Sequence, residues 1–265
     1  MANINYIFNY ITVKSLKRDI NQDAYYLNKY SKGRKKIVLA AIADGMGGLS
    51  SGNIASKIAM KELSIWWSSL EKKKFNFSKS FLLDDLDKVF YKINNSILKY
   101  STDNNEKMGT TLAVVFIMGK NVIIKNIGDT RVYLANDKTR VLSFDHTWVN
   151  NQIIEGKLNP KDAMNHPKSH VLTQCLGVKS ELNIYTSNAS IKENDLIIIC
   201  SDGFYKKLDV NQLKVELDTL NINVEEFLEQ VTQELRNANE RDDITVIIIR
   251  YTGVRRFFNI KKFLK

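Results

Sequence analysis

The chain has few residues that form disulfides, interrupt secondary structure or bind metals through nitrogen: it contains two cysteines, two prolines and three histidines among 265 residues. Cys175 and Cys200 form no CxxC pair and lie in apolar sequence, which favours reduced, buried thiols in a cytoplasmic protein. No linker rich in proline, glycine or serine divides the chain, and 44% of it is apolar, so one domain with a substantial core is expected. No apolar run has the length of a membrane span, and the first residues lack a signal-peptide pattern.

The formal net charge of +10 raises the question of a nucleic-acid partner. The lysines are dispersed over predicted helix faces and loops, and no aromatic-and-basic platform stands out before the C-terminal end. Dispersed lysine is typical of solvated surface, so no nucleic-acid partner is predicted.

The most informative stretch is 37–67. An unbroken apolar run over 37–43 predicts a buried strand that ends at Asp44 and Gly45, and apolar residues at helical spacing follow a glycine-rich turn. A dinucleotide fingerprint fails because its last glycine is Ser50, and a carboxylate would repel a pyrophosphate. Asp44 suits a cation better, although a single Asp-Gly pair is often only a turn or a helix cap.

In the rest of the chain, the spacing of apolar residues alternates between that of strands and that of helices. Strands are predicted at 4–10, 24–27, 110–117, 121–126, 130–134, 196–200 and 244–249, and further helices at 81–100 and 224–235, the last with a capping box of Asn223 and Glu226. Hairpin turns at 119–120 and 136–137 imply antiparallel pairing. The polar region 145–173 is expected to be a mobile insertion near a site. Together these elements indicate an α+β fold of sheets covered by helices.

Aspartates recur at the ends of the predicted strands. They are Asp23, Asp44, Asp129, Asp202 and Asp242. If these ends converge, the carboxylates must be protonated or must bind cations, and oxygen ligands select Mg²⁺ or Mn²⁺ over Zn²⁺. The cysteines lack zinc-ligand spacing, and His166 and His170 are better explained as a solvated loop pair.

A pair of divalent ions is suited to activating water against a phosphoryl group. Arg18, shortly before Asp23, has the forked guanidinium that binds a phosphate dianion, although on its own it is equally well a surface arginine. No G-x-S-x-G elbow surrounds Ser201, so a serine nucleophile is not indicated.

Eight segments match a known family in its order and cover nearly the whole chain. They are RDINQDAYYL (18–27), ADGMGGLSSGNIAS (43–56), MGTTLAVVFI (108–117), NIGDTRVYL (126–134), SFDHTWV (143–149), LTQCLG (172–177), IICSDGFYKKL (198–208) and DDITVIIIR (242–250). With them the chain resembles the metal-dependent serine/threonine protein phosphatases of the PPM group, protein phosphatase type 2C, in their short bacterial form. The resemblance implies a four-layer αββα sandwich, two antiparallel sheets flanked by helix pairs, in a single domain at 1–252 with a flap at about 146–171.

The resemblance also implies a centre of two Mg²⁺ or Mn²⁺ ions that acts on phosphoserine and phosphothreonine proteins. Asp44 would bridge both ions, and the Gly45 carbonyl would ligate one. Asp202 and Asp242 would hold the other ion, while Asp23 would act mainly through metal-bound water. Asp23 and Asp44 are thus the expected catalytic residues.

Two further roles follow from the resemblance. Arg18 would bind the substrate phosphate, and Asp129 with Asp202 would hold a third, weaker ion.

Three positions depart from the family pattern. Met46 stands where many eukaryotic relatives have a histidine proposed as general acid, Asp243 where asparagine is usual, and Thr130 where serine is usual. None removes an expected ligand. The alternative to an enzyme is a phosphoprotein-binding module that kept the fold without turnover.

The tail at 253–265 interleaves basic and apolar residues. It is expected either to dock on the core as a helix, the preferred interpretation, or to make weak contact with the inner face of an anionic membrane. Phosphorylated proteins, including a cognate protein kinase, are the expected partners of a cytoplasmic monomer.

Overall fold

The computed structural model describes residues 3–33, 35–47, 51–163, 165–206, 210, 224–237 and 242–255. The strands are β1 (Asn3–Val13), β2 (Asp23–Lys32), β3 (Lys35–Gly47), β4 (Met108–Thr110), β5 (Leu112–Met118), β6 (Asn121–Ile127), β7 (Arg131–Ala135), β8 (Thr139–Val141), β9 (Tyr185–Ser190), β10 (Leu196–Cys200) and β11 (Ile244–Arg255). The helices are α1 (Ser51–Lys72), α2 (Lys79–Asn104), α3 (Trp148–Ile154), α4 (Pro160–Ala163), α5 (Asp202–Tyr205) and α6 (Val224–Asn237).

The strands form two sheets. The first has the order β1-β11-β10-β7-β8, and the second has the order β2-β3-β5-β6-β9, with β4 paired to β3. Every pairing between these described strands is antiparallel. The hairpins predicted between β5 and β6 and between β7 and β8 are both present.

The alternation of side chains along β3 explains its unbroken apolar sequence. Ile37, Leu39 and Ala41 pack with α1 and α2 in one buried cluster, whereas Val38 and Ile42 pack in another between the two sheets. Both faces of the strand are therefore dry, so neither face carries polar residues. A third cluster fills the space between the first sheet and α6. The layers run helix, sheet, sheet, helix, as predicted.

Helix α2 begins and ends with recognisable caps. The Ser78 side chain accepts a hydrogen bond from the Phe81 backbone N–H at 3.1 Å, and Asn105 closes the helix in the left-handed conformation. Within the helix, Asn94 is fully buried: its Oδ1 accepts from the Gly177 N–H at 2.7 Å, and its Nδ2 donates to the Lys179 carbonyl at 2.8 Å. This amide ties α2 to the segment that leaves the flap.

The flap region contains the short helices α3 and α4, which the sequence pattern did not predict. An amphipathic period needs more turns than these helices have. His146 is buried at the start of the flap, and His166 stacks on Trp148 with 4.9 Å between ring centroids. Burial lowers the pKa of His146, and its ring nitrogen Nδ1 contacts the backbone of Gly128.

Strand β11 continues to Arg255, so Val254 and Arg255 of the predicted tail pair with β1. Residues 256–265 and the predicted cap Asn223 lie outside the described residues. Cys175 and Cys200 are free thiols. Within the described part of the chain, no helix combines the length and the hydropathy needed to cross a bilayer.

Candidate active site

Two of the predicted acids face each other on neighbouring strands. Asp23 opens β2 and is the direct antiparallel partner of Asp44 near the end of β3. Thr111, between β4 and β5, holds the Asp44 backbone, with its Oγ1 accepting from the Asp44 N–H at 2.9 Å. Like charges opposite each other destabilise a sheet, so this pair needs a compensating partner.

Two acids from the other sheet and one from a turn between the sheets lie at the same place. Asp202 follows β10 at the first position of α5, Asp242 precedes β11, and these two strands are neighbours. Asp129 lies in the turn between β6 and β7, where the Tyr205 hydroxyl donates to its carbonyl at 3.1 Å. We call Asp23, Asp44, Asp129, Asp202 and Asp242 the acidic cluster.

The electrostatics show that the acidic cluster is one group. Burial raises the pKa of Asp44 well above its ordinary value, and each of the other four carboxylates raises it further. Burial first and neighbouring carboxylates second also raise the pKa of Asp23 to about 7, of Asp129 to about 8 and of Asp242 to about 6. Carboxyl groups with such pKa values share a buried site whose negative charge is not balanced.

Two carboxylate oxygens of the cluster have no hydrogen-bond partner among the described residues. Asp23 Oδ1 and Asp202 Oδ1 are both buried and unpaired, whereas Asp23 Oδ2 accepts from the Ser201 hydroxyl at 2.8 Å. An unpaired buried acceptor costs about 1–3 kcal/mol, and more if it is charged. Unpaired carboxylate oxygens are the donor atoms that Mg²⁺ and Mn²⁺ prefer, so the residues fit these ions.

Basic side chains already hold part of the cluster. Arg18 Nη2 contacts Asp242 Oδ1 at 2.6 Å, and Lys206 Nζ contacts Asp202 Oδ2 at 2.5 Å. Among the residues that the structure describes, no three carboxylates, imidazoles or thiolates are arranged to hold one ion between them. Each of the two ion pairs takes a carboxylate oxygen that an ion would otherwise use.

Arg18 lies at the mouth of the cluster. Burial lowers the pKa of its guanidinium, but Asp242 and Asp243 more than reverse this effect, so Arg18 remains charged. Its Nη1 donates to Asp243 Oδ2 at 2.7 Å. The sequence predicts Arg18 as a phosphate-binding residue, whereas Asp243 differs from the family pattern without a predicted role.

The Gly45 backbone is positioned by a close contact with helix α1. A Cβ at Gly45 would collide with the Gly52 carbonyl oxygen and would lie 2.7 Å from the Gln22 carbonyl oxygen. The Gly45 N–H also donates to that Gln22 carbonyl at 3.1 Å. Only glycine allows this approach of strand end and helix start. Met46, the next residue, lines an adjacent cavity of about 470 Å³.

Sequence reasoning missed Lys206 and Ser201. Lys206 follows Asp202 by four residues, the spacing at which side chains on a helix meet, so a signal was present. Ser201 directly precedes Asp202, and nothing in its sequence context indicates a contact with Asp23. Its hydroxyl donates to Asp23, and the Thr245 N–H donates to it at 3.0 Å. Ser201 therefore orients Asp23 from the opposite sheet.

The chain is similar to known proteins over most of its length. A family model described as protein phosphatase 2C matches residues 16–246. The protein phosphatase PhpP of Streptococcus pneumoniae is 31% identical over 237 residues, covering 88% of this chain and 92% of the relative.

Solved structures share the fold. The serine/threonine phosphatase of S. agalactiae superposes with a TM-score of 0.82 at 25% identity, covering 93% of this chain and 99% of that one. The catalytic domain of the serine/threonine phosphatase PstP in complex with two manganese ions gives a TM-score of 0.74 at 24% identity, covering 95% of this chain and 100% of that one. The solved structures show the shared fold, and the family model and the PhpP relative place the chain in the protein phosphatase 2C family of metal-dependent serine/threonine phosphatases.

Proposed function

We propose that the acidic cluster is the metal centre of this phosphatase and that Arg18 binds the substrate phosphate. Asp44, the Gly45 carbonyl, Asp202 and Asp242 are the proposed direct ligands of two Mg²⁺ or Mn²⁺ ions, with Asp23 acting mainly through water. The observation that carries the proposal is a buried set of carboxylates in which burial and neighbouring charge raise the pKa values of Asp44 and Asp23, and in which Asp23 and Asp202 each carry an unpaired oxygen. Divalent cations remove this repulsion and satisfy those oxygens.

The chain's own residues have separable tasks. Bound ions supply charge neutralisation and an activated water for attack on phosphorus. Arg18 presents a planar fork to the phosphoryl oxygens of phosphoserine or phosphothreonine, and its position beside Asp242 places it at the edge of the cluster. Ser201 fixes the orientation of Asp23. Met46 has no proton to donate, so it has no part in protonating the leaving group.

A third ion is proposed between Asp129 and Asp202. Asp202 is the charged neighbour that raises the pKa of Asp129 most, which supports their proximity. Lys206 lowers that pKa, so a positive charge is favourable at this end of the cluster. Because the ammonium of Lys206 already pairs with Asp202, we propose that this third ion binds more weakly than the other two.

The wider biology is also part of the proposal. Family membership supports phosphoserine and phosphothreonine proteins as substrates, and we propose that a cognate protein kinase is among them. We propose a cytoplasmic monomer whose domain spans 1–252 and whose flap, about 146–171, contributes to substrate choice. For the tail at 253–265 we propose docking on the core, with weak membrane contact as the alternative. Liposome co-sedimentation of the protein with and without the tail distinguishes the two.

The test is release of phosphate from a phosphothreonine peptide with and without Mn²⁺. We expect turnover that requires the metal and is lost in Asp44→Ala and in Asp202→Ala. The matched control is Asp195→Ala, because Asp195 is also buried and accepts a backbone N–H, from Lys192 at 2.8 Å. Activity that survives both cluster substitutions contradicts the proposal, and tight peptide binding without turnover identifies a binding module.

A further inference from the structure

The carboxylate of Asp243 joins three donors at the edge of the active site. Its side chain is fully buried, directly before β11. The Ser15 N–H donates to Oδ1 at 2.8 Å, and the Gln22 N–H donates to Oδ2 at 2.8 Å. Arg18 Nη1 donates to the same Oδ2 at 2.7 Å. All three donors come from the connection between β1 and β2.

These contacts fix the connection that carries Arg18. Ser15 lies near its start and Gln22 at its end, so a single carboxylate holds both ends from a distant part of the chain. A buried backbone N–H needs an acceptor, and Asp243 supplies one for each end. The connection between β1 and β2 is therefore held in one conformation around Arg18.

The two edges of the guanidinium lie in different surroundings. Nη1 faces the Asp243 carboxylate, whose side chain is 0% exposed, and Nη2 faces Asp242, whose side chain is 31% exposed. The inner edge of the fork is thus held by a buried partner, and the outer edge pairs at 2.6 Å with a more exposed one at the mouth of the cluster. A cation with one edge already fixed loses less freedom when it binds a phosphate.

We infer that Asp243 is a positioning residue, which holds Arg18 and its loop so that the outer edge of the guanidinium is presented to the substrate phosphate. The inference rests on the proposed role of Arg18. The asparagine usual at this position has one acceptor oxygen, and its NH₂ group would face an N–H donor. An aspartate, with two acceptor oxygens, accommodates all three donors.

The test compares kcat and KM for a phosphothreonine peptide in wild type, Arg18→Ala, Asp243→Ala, Asp243→Asn and the double Ala variant. Losing a positioned charge-assisted contact to the substrate should raise KM by about tenfold, with kcat changed by less than about threefold. Asp243→Asn keeps the size of the side chain and one acceptor, so its KM should lie between wild type and Asp243→Ala. In the double variant, KM should equal that of Arg18→Ala, because Asp243 acts through Arg18.

Two measurements separate positioning from general damage. Asp195→Ala removes another buried carboxylate that accepts a backbone N–H, and it should lower the melting temperature without changing KM. Mn²⁺ affinity, measured by titration calorimetry, should stay within about threefold of wild type in Asp243→Asn.

Three results overturn the inference. The first is an unchanged KM in both Asp243 variants, and the second is a KM in the double variant that is raised by the product of the two single-variant increases. The third is a loss of Mn²⁺ affinity in Asp243→Asn that parallels its rise in KM. Titration of the same proteins with inorganic phosphate in Mn²⁺ measures phosphate binding without turnover. A wild type without turnover therefore contradicts the proposed function, whereas a phosphate affinity insensitive to Asp243 contradicts this inference.

Discussion

The repulsion within the acidic cluster should appear as a pH-dependent stability of the metal-free protein. In the folded state the pKa values of Asp242, Asp23 and Asp129 are raised to about 6, about 7 and about 8. In an unfolded chain all three are near 3.9. The folded protein therefore holds these protons more tightly than the unfolded chain. The stability they contribute is complete below about pH 4 and is lost as the pH rises through the folded-state values.

The size of the effect follows from Asp129. Between about pH 6.5 and about pH 8 the unfolded chain has already lost this proton, so stability falls by about 1.4 kcal/mol per pH unit, or about 2 kcal/mol in total. For a chain of this length that corresponds to a fall of roughly 4–8 °C in melting temperature. His146, whose pKa is lowered by burial, has an opposite effect, but only below about pH 6.5.

The assay is thermal unfolding in a chelator and in excess Mg²⁺ at about pH 6.5, 7.5 and 8.5. Without metal the melting temperature should fall with pH, and the stabilisation by Mg²⁺ should grow with pH because the ion replaces protons. Asp129→Asn should weaken the dependence of the metal-free melting temperature on pH, and Asp195→Asn should not. A metal-free melting temperature that is constant or rising over this range would refute a shared buried cluster of carboxylates.

Three further substitutions test separate contacts. Lys206→Met removes the ammonium paired with Asp202, so Mn²⁺ should bind its weakest site about tenfold more tightly, measured by electron paramagnetic resonance titration. Asn94→Ala removes two buried hydrogen bonds and should destabilise the fold by about 2–4 kcal/mol in urea unfolding. Gly52→Ala would place a Cβ 2.7 Å from the Gly45 carbonyl carbon. Turnover should therefore fall by more than about tenfold, although alanine favours the helix by up to about 1 kcal/mol.

Each of these changes has a control. Lys206→Arg keeps the positive charge, so the Mn²⁺ affinity of the weakest site should stay low. Unchanged Mn²⁺ binding in Lys206→Met would contradict the role of the ammonium. Asn95→Ala alters the exposed neighbour of Asn94 and should have little effect on unfolding. Lys57→Ala, on the exposed side of α1, should keep full turnover. Full turnover in Gly52→Ala would show that activity does not depend on the position of the Gly45 backbone.

The parts of the fold that were predictable are those determined by local pattern. The strand at 196–200 has the predicted bounds, because its five residues are all buried between polar neighbours. Asp44 and Asp202 could be recognised because each ends an apolar run beside a glycine. The short helices α3 and α4 could not, since they are too short to show a period.

The roles of Asp243 and Ser201 depend on contacts over long sequence separations. Asp243 meets Arg18 across 225 positions, and Ser201 meets Asp23 across 178. No spacing rule connects residues so far apart. Composition explains why charged and polar groups were available, but only the antiparallel arrangement of the two sheets determines which of them meet.

The hydrogen bond from Ser201 to Asp23 joins the two sheets at the acidic cluster. The carboxylates on either side of this seam come from different sheets, and the core between the sheets, which includes Val38 and Ile247, keeps them in register. A small slide of one sheet over the other would change the spacing of the acids without breaking a single strand pairing. If the acidic cluster holds divalent ions, as proposed, their affinity therefore reports how the two sheets are packed against each other.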